Sequence, residues 1–119
     1  MRRLSIVFVF VTGSSLANTF VFTKNNNVLS LSPRVDIAEF SINGSHDNTS
    51  GSCNIGGMAE SVRAVEGQKN RWVYSDSSSA CVAVISELKD GTVNVMTRSC
   101  ENYCGVSAVG SMEGKYKKK

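Results

Sequence analysis

Between Cys81 and Arg98, two valine-rich runs flank an Asp-Gly pair. Cys81-Val82-Ala83-Val84-Ile85-Ser86-Glu87-Leu88 leads into Lys89-Asp90-Gly91-Thr92, and Val93-Asn94-Val95-Met96-Thr97-Arg98 follows. β-Branched residues favour an extended chain, and Asp-Gly supplies the positive φ angles of a two-residue type I′ turn. The pattern predicts a β-hairpin in which Leu88 faces Val93 and Ser86 faces Val95. Its first strand is apolar on both faces, which places it inside a sheet. A chain holding such a hairpin needs further strands on either side.

Those strands are legible. After residue 17 the chain has three leucines and twelve valines, with no stretch of helical periodicity. Residues 19–23 and 28–32 read as two short strands around Asn25-Asn26-Asn27. Phe40 and Ile42 alternate on even positions, whereas Val35 and Ile37 sit on odd ones; the phase change around Ala38-Glu39 predicts a bulge or bend. Cys53, Ile55, Gly57 and Ala59 share one face, and their small side chains leave room for Trp72 and Tyr74 from the strand at 71–75. Residues 104–109 and 112–117 read as the last strands. Loops are expected at 44–52, 66–70 and 76–79, where Gly, Ser, Asn and Asp gather. The fold class is all-β: a small antiparallel meander forming a barrel or sandwich.

The N-terminus has a different pattern. Met1-Arg2-Arg3 is basic, residues 4–11 are apolar apart from Ser5, and Ser15 and Ala17 are small. This is the three-part form of a secretory signal peptide over residues 1–17, leaving residues 18–119 as a single β domain. The apolar run is shorter than the ~20 residues of a membrane span, and no second run follows. The expected location is periplasmic or secreted. The chain carries 13 basic and 10 acidic residues. Loss of Arg2 and Arg3 leaves 11 basic, four of them Lys115, Lys117, Lys118 and Lys119. These read as a solvated basic tail, with contact to an acidic surface such as lipopolysaccharide or a partner protein as the alternative. No basic stripe is interleaved with aromatics, so nucleic acid is not an expected partner.

Four cysteines in a short exported chain suggest two disulfides. In a meander, Cys53, Cys81 and Cys104 begin strands of one direction and Cys100 ends one of the other, so all four gather at one end of the sheet. Three pairings are open. Cys81 opposes Cys100 in the hairpin register, but at a hydrogen-bonded position where a bridge is strained. Cys81–Cys104 with Cys53–Cys100 ties more distant strands. Cys53–Cys81 with Cys100–Cys104 makes one long and one very small loop. A four-thiolate zinc site lacks the usual spacing, and no metal or cofactor is expected.

The stretch Cys53-Asn54-Ile55-Gly56-Gly57-Met58-Ala59, Trp72-Val73-Tyr74, Cys81-Val82-Ala83-Val84, Cys100-Glu101-Asn102-Tyr103-Cys104-Gly105 and Gly114-Lys115-Tyr116 resembles a group of small exported bacterial β domains. Some of these stand alone, and others follow a helical module named for its likeness to lysozyme inhibitors. The resemblance covers over half of residues 18–119 and rests on cysteines, glycines and aromatics. It implies the fold and the compartment, and it favours the Cys81–Cys104 pairing with Cys53–Cys100. The Ser-Gly-x-x-Tyr loop by which small-barrel inhibitors enter the lysozyme cleft does not occur here.

Catalytic patterns are not evident. His46 is the sole histidine and lies with Asp47 in a Gly/Ser/Asn loop, whereas a triad needs a rigidly placed base. Glu60, Glu87 and Glu101 have no spacing that selects a glycosidase pair. The expectation is a monomeric, non-catalytic binding module, an inhibitor or immunity-type protein acting on an enzyme or toxin of the cell envelope. The alternatives are a small-ligand carrier with a barrel interior near Trp72 and Tyr74, and a small hydrolase. Glu101, Asn102 and Tyr103, braced between cysteines, are the candidate contact residues, with Tyr103 as the aromatic anchor.

Overall fold

The computed structural model describes residues 18–45, 52–104 and 111–119. The signal-peptide segment, His46, Asp47 and the expected strand beyond Cys104 lie outside the described residues. Eight strands follow one another: β1 (Phe20–Lys24), β2 (Asn27–Pro33), β3 (Ile37–Ser45), β4 (Ser52–Val62), β5 (Gln68–Ser75), β6 (Val82–Leu88), β7 (Val93–Arg98) and β8 (Gly114–Lys118). Each pairs antiparallel with the next, and β8 returns to β1 through Phe22–Lys118 and Thr23–Lys117. The meander is therefore a closed barrel, in which every strand has a partner on each side over at least part of its length.

Alternation puts one side chain in two inside. Phe22, Leu29, Leu31, Ala38, Phe40, Ile42, Cys53, Ile55, Ala59, Trp72, Ile85, Val93, Val95 and Tyr116 form one buried cluster. Burying a leucine or phenylalanine fully contributes about 1.5–3 kcal/mol. The expected fit of small against large holds. A Cβ on Gly57 would lie 2.7 Å from Tyr74 Cε1, and Tyr74 meets Phe40 edge-on with ring centroids 5.2 Å apart. Trp72 is 3% exposed. Both rings that would have lined a carrier's interior are thus taken up by packing.

The β6–β7 hairpin differs from expectation by one residue. Ile85 pairs with Val95 and Glu87 with Val93. The loop is three residues, Lys89-Asp90-Gly91. Gly91 N–H donates to the Leu88 carbonyl at 3.0 Å, Leu88 N–H donates to the Thr92 carbonyl at 2.8 Å, and Gly91 takes φ 91°. Asp90 Oδ1 accepts from the Thr92 N–H (2.9 Å) and Oγ1 (2.6 Å). This is the type I turn with a glycine bulge. Matching of faces decides it: Cys81, Ala83 and Ile85 point inward, as do Val93 and Val95, and only the observed register sets odd against odd.

Other corrections have equally local causes. No bulge interrupts β3; its register with β2 and β4 is continuous. Val35 lies in the preceding turn at 92% exposure, and Ala38 rather than Ile37 faces inward. Gln68 to Asn70 belong to β5, because the turn before them is completed by Gly67 at φ 87°. The C-terminal lysines are not a tail, since Lys115, Lys117 and Lys118 belong to β8.

Both disulfides sit at one end of the barrel, as the meander requires, but their pairing is Cys53–Cys104 and Cys81–Cys100. The favoured Cys81–Cys104 with Cys53–Cys100 is incorrect. In the observed register Cys81 falls level with Ser99 rather than Cys100. Ser99, at φ 59°, turns the chain out of the ladder and brings the Cys100 Cα to 4.5 Å from that of Cys81. The objection to a bridge within a hydrogen-bonded pair therefore disappears. Cys104 then meets the start of β4 through an isolated antiparallel bridge to Cys53.

Candidate functional site

The cysteine end carries the site suggested by sequence. β5 stops at Ser75, and Asp76 organises the turn that follows. Its Oδ1 accepts from the Ser78 N–H (2.9 Å) and Oγ (2.8 Å), and its Oδ2 accepts from Ser79 Oγ (3.1 Å). Asp76 N–H donates to the Cys81 carbonyl at 3.1 Å, closing the loop at the mouth of β6. An aspartate receiving local backbone and hydroxyl donors is a standard way to fix a turn.

The second loop begins where β7 ends. Glu101–Tyr103 form a single 3-10 turn, with Tyr103 N–H donating to the Cys100 carbonyl and Cys104 N–H to that of Glu101, both at 3.0 Å. Cys100 ties the turn's start to β6 and Cys104 ties its end to β4. This wedge has room because β4 pairs with β5 only over Glu60, Ser61 and Val62 among the described residues. At the cysteine end the 3-10 turn stands between them.

Tyr103 joins the two loops. It is half-buried against the core cluster, and its hydroxyl donates to Asp76 Oδ2 across 27 residues of sequence. The Tyr103 bond, followed by that of the Ser78 N–H, holds the Asp76 carboxyl well below the usual carboxylate range. Asp76 in turn, with the Tyr74 hydroxyl behind it, pushes the Tyr103 phenol above its ordinary value. Donor and acceptor are each held in the state that keeps the bond.

The three candidate contact residues thus have different situations. Glu101 and Asn102 are exposed at the tip of the turn, beside exposed Ser77 and Ser78. Tyr103 faces inward and supports them. Its bond to Asp76 left no trace in the sequence beyond two residues with complementary chemistry in two polar loops. A shallow hollow of about 70 Å³ lies beneath the turn, lined by Thr97, Ser99, Cys100, Glu101, Met112 and Glu113 among others.

The carboxylates considered for catalysis are not brought together. Glu60 lies on β4 opposite Val73, Glu101 lies at the loop end, and Glu87 on β6 accepts from Asn70 Nδ2 at 2.8 Å. All four cysteines are disulfide-bonded and so present no thiolates to a metal.

The fold and site together define a disulfide-stapled, closed eight-stranded antiparallel barrel with a braced loop end. No family model, no curated protein and no solved structure matches the chain.

Proposed function

We propose that the protein is an exported, non-catalytic binding module that engages a protein partner of the cell envelope, as an inhibitor or immunity-type protein, through the loops at its cysteine end. Intramolecular disulfides belong to oxidising, extracytoplasmic compartments, which supports a periplasmic or secreted location and suits the signal-like N-terminus. The observation that carries the reading is the Tyr103–Asp76 bond between two loops already tied to the barrel by both disulfides. Loops held before binding lose less conformational entropy on contact. The resemblance to exported β domains found beside inhibitor-like modules points the same way. The protein acts as a monomer, with Glu101, Asn102, Ser77 and Ser78 as the contact surface and Tyr103 as its support.

A photo-crosslinking residue at Asn102, compared with one at Lys69 near the opposite end, tests the reading in intact envelopes. Asn102 is expected to give one discrete protein adduct that Lys69 does not, and Glu101→Lys is expected to abolish it. Identical adducts from both positions, or none from Asn102, would overturn the proposal. Tyr103→Phe keeps the ring packing and removes the brace, so it is expected to weaken the Asn102 adduct without unfolding the barrel.

A further inference from the structure

The outer face of the barrel changes chemistry from one side to the other. On β2 and β3, Ser30 opposes Ser41 and Ser32 opposes Glu39, as suits a sheet face in water. On β5, β6 and β7 the register sets Val73 beside Val84 and Val84 beside Met96. Their chain neighbours Trp72, Ala83, Ile85 and Val95 are buried in the core, so this row points outward. Met96 is 58% exposed, the highest value among the large apolar strand residues described.

The next outward row toward the cysteine end places Val82 opposite Arg98. A groove of about 230 Å³ runs along these two strands, lined by Val82, Val84, Met96, Thr97 and Arg98. It reaches the displayed loops, because Val82 follows Cys81 and Arg98 precedes Ser99. Apolar groups gathered on an outer face and bordered by polar residues mark a contact region.

The charge beside the groove is positive. Arg98 is exposed, and the ion pairs among the described residues are Arg34–Glu39 and Lys69–Glu87, both elsewhere. Glu113, just before β8, accepts from Thr97 Oγ1 at 3.2 Å and does not pair with Arg98. On the other side of the apolar row, Arg71 opposes Ser86, and its Nε is buried with no hydrogen-bond partner among the described residues. Glu60 opposes Val73 at the far end of the row, on β4 and three strands from Met96. An apolar strip beside arginines without ion pairs complements an apolar side chain with a carboxylate next to it.

We propose that the outer face of β6 and β7 continues the contact surface and receives an acidic segment of the partner protein. One apolar side chain of that segment rests on Val84 and Met96, and a neighbouring carboxylate meets Arg98. This rests on the protein partner assigned to the loop end and adds that partner's chemistry. Covering Met96 while shielding a guanidinium–carboxylate pair from water is how a small patch anchors an interface.

A photo-crosslinking residue at Met96 of the full chain, irradiated in intact envelopes, tests it. The adduct is expected to contain the same protein as the one formed from Asn102. Peptide mapping is expected to place the crosslink beside an aspartate or glutamate of the partner. Arg98→Glu sets like charge against like and is expected to cut the Met96 adduct about tenfold or more. Should that variant fail to fold, Arg98→Gln is expected to cut it about threefold. Arg34→Glu, the same reversal at the opposite end, is expected to leave it unchanged. An Asn102 adduct without a Met96 adduct would overturn the proposal and leave the loop reading standing, whereas no adduct from either position would overturn both. An adduct to lipid or to a second copy of the chain, a mapped segment without acidic residues, or equal losses from Arg98→Glu and Arg34→Glu would also overturn it.

Discussion

At one end of the barrel the chain turns at 34–36, 63–67 and 89–91, and local chemistry holds each turn: Arg34 N–H bonds to the Ile37 carbonyl, and Gly67 and Gly91 supply positive φ angles. At the other end the connection from β5 to β6 and the one leaving β7 are longer, and their ties are long-range: two disulfides and the Tyr103–Asp76 bond. Short turns specify themselves. Longer loops hold a shape only when distant residues are brought to them, and that arrangement leaves Glu101, Asn102 and Ser77 displayed on a rigid base.

The sharpest way to break this contrast is to cut the ties. Loop-closure entropy scales with the span bridged, and the spans are 51 and 19 residues. Replacing Cys53 and Cys104 by serine is expected to cost about 4 kcal/mol, and replacing Cys81 and Cys100 about 3 kcal/mol. Thermal melts should fall by well over ten degrees in both cases, since 1 kcal/mol is worth about 4–8 °C in a domain of this size. Peptide mapping without reduction should return the same two pairs.

Next in size is Gly57→Ala, which would press a methyl group into the Tyr74 ring at the site where β4 and β5 separate. Overpacking of this kind costs about 1–3 kcal/mol, measured by chemical denaturation. Gly91→Ala at the opposite end meets open space and strains only its backbone, costing about 1 kcal/mol. Equal losses would remove the distinction between packed and self-specified glycines.

The loop brace predicts a pH signature. Because the Asp76 carboxyl is held below its unfolded value near 3.8, its contribution is present above that pH and is lost as pH falls through the folded value. The parent is therefore expected to lose more melting temperature on acidification below pH ~4 than Tyr103→Phe does. Tyrosines act in the opposite direction. Burial raises the Tyr116 phenol to about 12 from 10.0, so the barrel loses stability as pH rises through that interval. Identical acid profiles for parent and Tyr103→Phe would show that the bond does not brace the loops. The smallest effect belongs to the turn end: Glu39→Gln removes an exposed 3.3 Å ion pair with Arg34 and is expected to change stability by less than ~1 kcal/mol.

The strands were readable because burial on one face imposes alternation that any window of the sequence displays. The gathering of the cysteines followed from strand direction alone, and the fit of Gly57 beneath Tyr74 followed from side-chain size. What departs from expectation depends on non-local geometry. One residue of turn length shifts the hairpin register and sets Cys81 level with Ser99, which frees the Cys81–Cys100 bridge from the strained hydrogen-bonded position. Ala38, small and unassuming in sequence, holds the inward position that Ile37 was expected to share. Of the candidate site, Glu101 and Asn102 were legible as polar residues between cysteines. The inward turn of Tyr103 was not, since its partner Asp76 belongs to another loop.

The seam between β1 and β8 joins residues more than ninety positions apart through two cross-strand pairs, Phe22–Lys118 and Thr23–Lys117. A chain emerging in N-to-C order must keep the outer edge of β1 unpaired until β8 arrives. Contacts of such sequence separation form slowly, on the millisecond-to-second scale of non-local β folds. The barrel thus has a built-in delay: β8 is the segment that locks β1, and closure waits for it.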